Sequence, residues 1–132
     1  MVLFFQLKMS AKPRPAPEPA EVLRKALLRA GEKLGLNQKD LGEIVGLSAA
    51  SVSRLAAGKL DLEPESKNGE LALLFLRLFR ALDAVVGGDE EKARAWFFAK
   101  NAHVGGVPSE RARTIEGLVH VAEYLDAVRG KL

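Results

Sequence analysis

Cysteine is absent from this 132-residue chain. That excludes a thiolate zinc site, an iron–sulfur cluster, a cysteine nucleophile and any disulfide framework. A reducing, cytoplasmic setting fits the absence. Aromatic residues are scarce, at 6% with one Trp and one Tyr, so a core has to come mainly from Leu, Val and Ala. The two histidines, His103 and His120, have no acidic or His companions at ligand spacing, which favours surface or capping roles over metal binding. Charge of one sign is also lacking. The net charge is +3, distributed as +4 over residues 1–36, zero over 37–62, −1 over 63–86 and zero over 87–132. Without a polybasic arm, nucleic-acid binding does not follow from charge alone. No apolar run is long enough to cross a membrane: MVLFFQLK at the start is too short and follows no basic segment, and the most apolar internal stretch carries Arg77 and Arg80. No Ser/His/Asp grouping, metal cluster or Gly-rich phosphate loop is present. The chain is therefore expected to be neither an enzyme nor a cofactor carrier.

At ~100–200 residues per domain the length predicts one globular unit, which buries about two thirds of its unfolded surface without staples. Met9 opens MSAKPRPAPEP, which reads like a natural start, so residues 1–8 are either native or an upstream extension. Pro13, Pro15, Pro17 and Pro19 remove amide donors and favour an extended, solvated leader over residues 1–20. From Glu21 the apolar residues recur at helical spacing, beginning with Val22, Leu23, Ala26, Leu27 and Ala30. Residues 61–69, with Pro64, Lys67 and Asn68, break that period. Then ELALLFLRLFRALDAVV is apolar on most of its circumference, with Glu70, Arg77, Arg80 and Asp83 as a narrow polar stripe. Such a helix belongs at the centre of the core, with part of it in a subunit interface. Gly87 and Gly88 close it, Asp89 caps the next helix, and Thr114 precedes a final helix bearing Ile115, Leu118, Val119, Ala122, Leu125 and Val128 on one face. No segment alternates with period two, so the fold class is all-α.

Residues 38–55 read QKDLGEIVGLSAASVSRL. Leu41 and Gly42, then Ile44 and Val45, Gly46 at a turn, Leu47, Val52 and Leu55 fall at the spacing of a helix-turn-helix, with Gly46 suited to positive φ. With Gln38 in front and Ser53-Arg54-Leu55-Ala56-Ala57-Gly58 behind, the segment resembles the phage-repressor-like Xre type. The resemblance implies that Gln38 touches a phosphate, that Ser48, Ala49, Ala50, Ser51 and Ser53 face the groove, and that Arg54 and Lys59 contact phosphate. Ala meets only a thymine methyl and Ser discriminates bases poorly, so this reading set is chemically thin. Gly42 stands where Ala is usual, which costs up to ~1 kcal/mol of helix propensity but suits tight packing. The bland alternative is a helical corner kept for packing, with DNA binding weakened.

A second pattern follows: Trp96, Asn101, Gly106, Pro108, Thr114, Glu116-Gly117, Val121, Tyr124-Leu125 and Arg129-Gly130. It resembles the antitoxin domain of the Xre/MbcA/ParS family. After an Xre-like helix-turn-helix and an apolar helix, the arrangement is similar to antitoxins of RES-Xre type II toxin–antitoxin modules. The resemblance implies an N-terminal helix-turn-helix over residues 21–62, a connection and central apolar helix over 63–88, and a helical toxin-binding domain over 89–132. It further implies that the partner is a RES-type toxin that degrades NAD, blocked by the end of the antitoxin lying over its active-site entrance. The matching residues are Tyr124, Arg129, Gly130, Lys131 and Leu132. Arg129 or the terminal carboxylate would then occupy charge sites otherwise used by NAD phosphate or toxin carboxylates. Operator DNA and a second copy of the chain are the other expected partners, and no membrane. The rival from another class is a stand-alone phage-repressor-like dimeric regulator whose C-terminal helices only dimerise.

Overall fold

Helices carry most of residues 16–132, the part of the chain that the computed structural model describes. The expectations for MVLFFQLK, Met9, Pro13 and Pro15 fall outside the described residues. Ala16, Pro17 and Glu18 are exposed and precede the first helix, α1 (Pro19–Lys33). Pro19 opens it because the first turn leaves amide donors unused in any case. The helix thus begins two residues before Glu21, and it buries Ala20, Leu23, Leu27, Ala30 and Gly31 while Val22 faces outward.

Two short helices follow, α2 (Gln38–Val45) and α3 (Ala49–Ala56). Asn37 caps α2, its side-chain oxygen accepting from the Asp40 amide at 2.8 Å. Gly46 takes φ 75°, which lets its amide and that of Leu47 both close on the Gly42 carbonyl. An added Cβ at Gly42 would overlap the Leu47 carbonyl oxygen. Glycine here is thus a packing requirement that outweighs its cost in helix propensity.

The central helix α4 (Lys67–Val85) starts three residues before the apolar run, capped by the Ser66 hydroxyl on the Gly69 amide. Lys67, Asn68 and Gly69 lie inside its first turn, although the apolar period does not reach them. The reason is tertiary: the preceding chain passes so close that a Cβ at Gly69 would strike the Glu63 carbonyl. Ala72, Phe75, Leu76, Leu78, Ala81 and Leu82 of α4 are buried. Helices α1 and α2 pack on it from one part of the chain, and α5 (Glu90–Phe98) and α7 (Ile115–Arg129) from the other. Its outer stripe holds Glu70, Arg77 and Arg80, but Leu73 interrupts it at 48% exposure.

Asp89 caps α5, whose three consecutive aromatics diverge: Phe97 is fully buried, Trp96 is half-buried and Phe98 is exposed. Beyond it, Asn101 and Gly106 exchange two backbone hydrogen bonds around a 3-10 turn at Ala102–Val104. A short α6 (Pro108–Arg111) leads to α7, capped by Thr114 on the Gly117 amide. Ile115 lies beside Lys67, Leu71 and Leu74, near the start of α4, while Asp126 pairs with Arg77 farther along. Helices α4 and α7 therefore run in the same direction, and their contact is the most extensive in the fold. Among the described residues, no helix is long and apolar enough to cross a membrane.

Candidate functional site

The helix-turn-helix surface is built from α2 and α3. Val52 and Leu55 turn inward with Leu41, Ile44 and Val45, which forces the remaining positions of α3 outward. Ser48, Ala49, Ala50, Ser53 and Arg54 are exposed, as are Gln38 and Lys59, and Ser51 is half-buried. The structure thus brings all eight residues expected to meet DNA, from Gln38 to Lys59, onto α2, the N-cap of α3, α3 itself and the turn after it. Two of them already have local work. The Ser48 hydroxyl accepts from the Ser51 amide as the N-cap of α3 and donates to the Ser51 hydroxyl, both at 3.1 Å. Gln38 sits in the first turn of α2, where unpaired amides and the helix dipole favour an anion.

This unit meets the rest of the chain through groups that sequence patterning passed over. The Asn68 amide donates to the carbonyls of Val45 and Gly46 at 2.8 and 3.0 Å, satisfying the exit of α2. Arg24 donates to the Leu55 carbonyl at 3.1 Å. Arg113, in the connection between α6 and α7, reaches Glu43 at 2.9 Å and Asp40 at 3.3 Å. Sequence offers no signal for these pairings, because the partners lie tens of positions apart and their residue types are common.

At the other end of α7, Arg129, Gly130, Lys131 and Leu132 are all exposed, Leu132 at 78%. Gly130 has φ −64°, a right-handed conformation open to any residue, and a Cβ there would make only ordinary contacts. Its identity is not explained by backbone geometry. Tyr124 stands apart from this tip: it is half-buried, its ring stacked between Trp96 (centroids 6.3 Å apart) and His103 (5.5 Å). His120 donates through Nε2 to the His103 carbonyl at 3.2 Å, fixing the tautomer. The two histidines thus buttress an aromatic ladder. The Arg77–Asp126 ion pair, at 2.6 Å, ties the last turns of α7 to α4. A shallow apolar recess lined by Leu71, Leu74 and Ile115 lies where the two helices begin, with Ile115 at 67% exposure.

A helix-turn-helix joined through a shared central helix to a second helical unit with a free C-terminal tip defines a two-function architecture. Family comparisons assign both halves. Residues 13–77 match the antitoxin Xre-like helix-turn-helix domain, and residues 81–131 match the antitoxin Xre/MbcA/ParS C-terminal toxin-binding domain. The chain belongs to the Xre/MbcA/ParS family of antitoxins. Among solved structures, it is similar to a chain of the M. tuberculosis MbcT-MbcA toxin–antitoxin complex, with a TM-score of 0.65 and 28% identity over 84% of this chain and 96% of that one. No curated protein sequence matches it. The protein is an antitoxin with a helix-turn-helix and a toxin-binding domain, and its direct partner is a toxin.

Proposed function

We propose that this antitoxin silences a RES-type, NAD-degrading toxin in the cytoplasm by laying the tip of α7 across the toxin's active-site entrance. The observation that carries this reading is the exposed run Arg129–Leu132, projecting from a helix that is anchored to the core up to Asp126. Arg129 and Lys131 supply cations for toxin carboxylates. Gly130, unconstrained by its own backbone, allows close approach of a partner surface. Tyr124, held in its ladder, acts at the edge of the contact. The protein works by binding and has no catalytic role of its own.

The test is co-expression with the adjacent open reading frame, followed by co-purification and measurement of cellular NAD. Full-length antitoxin is expected to form a stable complex and restore NAD, whereas a chain lacking Arg129–Leu132 fails to. A neighbour that is not toxic, or neutralisation that survives the truncation, would overturn the reading.

The same protein regulates its operon by placing α3 in the major groove, with Gln38, Arg54 and Lys59 on phosphates and Ser48, Ala49, Ser51 and Ser53 toward the bases. Their exposure supports this, and the sparse charge predicts weak, salt-sensitive binding that relies on a homodimer. Leu73 and Ile115, apolar and exposed, are the residues we assign to that dimer contact. A gel shift with the upstream DNA at low salt and sedimentation of the isolated antitoxin test the two points. Absence of DNA affinity, or a monomer at working concentrations, would refute them respectively.

A further inference from the structure

Helix α2 presents an electrostatic contradiction. Its N-terminal turn, with Gln38, is the phosphate-facing end in the DNA-binding reading, yet Asp40 and Glu43 lie on the same short helix. Over residues 37–62 acidic and basic side chains cancel, so two carboxylates beside a phosphate contact oppose binding at distances that salt screens only beyond about 8–10 Å. Both are engaged by one guanidinium: Arg113 Nη1 lies 2.9 Å from Glu43 Oε2, and Nη2 lies 3.3 Å from Asp40 Oδ1. Arg113 lies in the segment that matches the toxin-binding domain.

We propose that Arg113 is a component of the DNA-binding face contributed by the toxin-binding half of the chain, where it masks Asp40 and Glu43 from the nucleic-acid backbone. The inference rests on the DNA-binding reading above. A purely mechanical role is a poor account of the cluster. The three side chains keep 29–40% exposure, where ion pairs contribute little to stability. Helix α2 is already held by the buried Leu41, Ile44 and Val45 and by the Asn68 amide. What Arg113 changes is the charge of helix α2: Lys39 against Asp40 and Glu43 leaves one net negative charge there, and the guanidinium cancels it where phosphate arrives. The toxin-binding half thereby helps to set the affinity for DNA.

The experiment measures binding of full-length protein to the DNA directly upstream of its gene, by fluorescence anisotropy across a salt series. It compares wild type, Arg113→Ala, Asp40→Asn/Glu43→Gln and the triple variant. Arg113→Ala is expected to weaken binding roughly three- to tenfold at low salt, with its melting temperature and helix content unchanged. The double variant binds more tightly than wild type. The triple variant recovers at least wild-type affinity, because no carboxylates remain to be masked. Equal binding by Arg113→Ala and wild type overturns the inference while leaving the DNA-binding reading intact. Failure of the triple variant to recover overturns masking in favour of a mechanical clamp. No binding by wild type removes the DNA-binding reading and this inference with it.

Discussion

Glycines decide the tightest points of this fold, and they do so through the neighbour they admit. At Gly117 a Cβ would overlap the Arg111 carbonyl and crowd the Thr114 hydroxyl that caps α7. Gly117→Ala is therefore expected to destabilise the protein by about 1–3 kcal/mol despite its better helix propensity. At roughly 4 °C per kcal/mol for a chain of this size, a thermal melt reads that loss directly. Gly130→Ala is the counterpart. Its site is open and right-handed, so the melt should hold or rise slightly, and any loss of toxin affinity reports contact with a partner. Sequence marks both positions equally as glycines. Only the distance to the neighbouring carbonyl separates a packing glycine from a free one.

Among the elements, α2 shows how a short helix gains definition from outside itself. Eight residues are marginal alone, and the last carbonyls of α2 are met by Asn68 from the first turn of α4. Asn68→Ala is expected to cost about 1–2 kcal/mol. It should also raise hydrogen-exchange rates in α2 and α3 more than in α7, which native-state exchange would resolve. Helix α5 gives a contrast within three residues. Phe97→Ala should cost about 3–5 kcal/mol by opening a cavity in the core, whereas Phe98→Ala should stay within about 0.5 kcal/mol. Unfolding in denaturant distinguishes them. The run of aromatics was legible as one that turns around the helix, but which ring points inward follows from where α5 meets α4.

At the scale of the whole molecule, the parallel pairing of α4 and α7 separates the two surfaces. The helix-turn-helix docks at the start of α4, where Asn68 holds the exit of α2. The free tip of α7 leaves farther along, past the Arg77–Asp126 pair. With 15 residues, α7 spans about 22 Å. Removal of Arg129–Leu132 should therefore leave the melting temperature and DNA affinity unchanged while abolishing neutralisation of the toxin. A truncated chain that lost DNA binding as well would show that the two surfaces are not separate.

The sequence by itself determined the helical class, the order of the helices, the capping residues Asp89 and Thr114, the turn at Gly46 and the family, because these depend on local chemistry and on residue spacing. It also placed the expected DNA-facing residues on α2, α3 and the following turn, since burying Val52 and Leu55 leaves Ser48, Ala49, Ser53 and Arg54 outside. Tertiary structure alone decided the rest. It drew Lys67, Asn68 and Gly69 into α4, set Tyr124 between Trp96 and His103, and brought Arg113 to Asp40 and Glu43. Those outcomes depend on which surfaces of separate helices meet, and residue periodicity describes only one helix at a time.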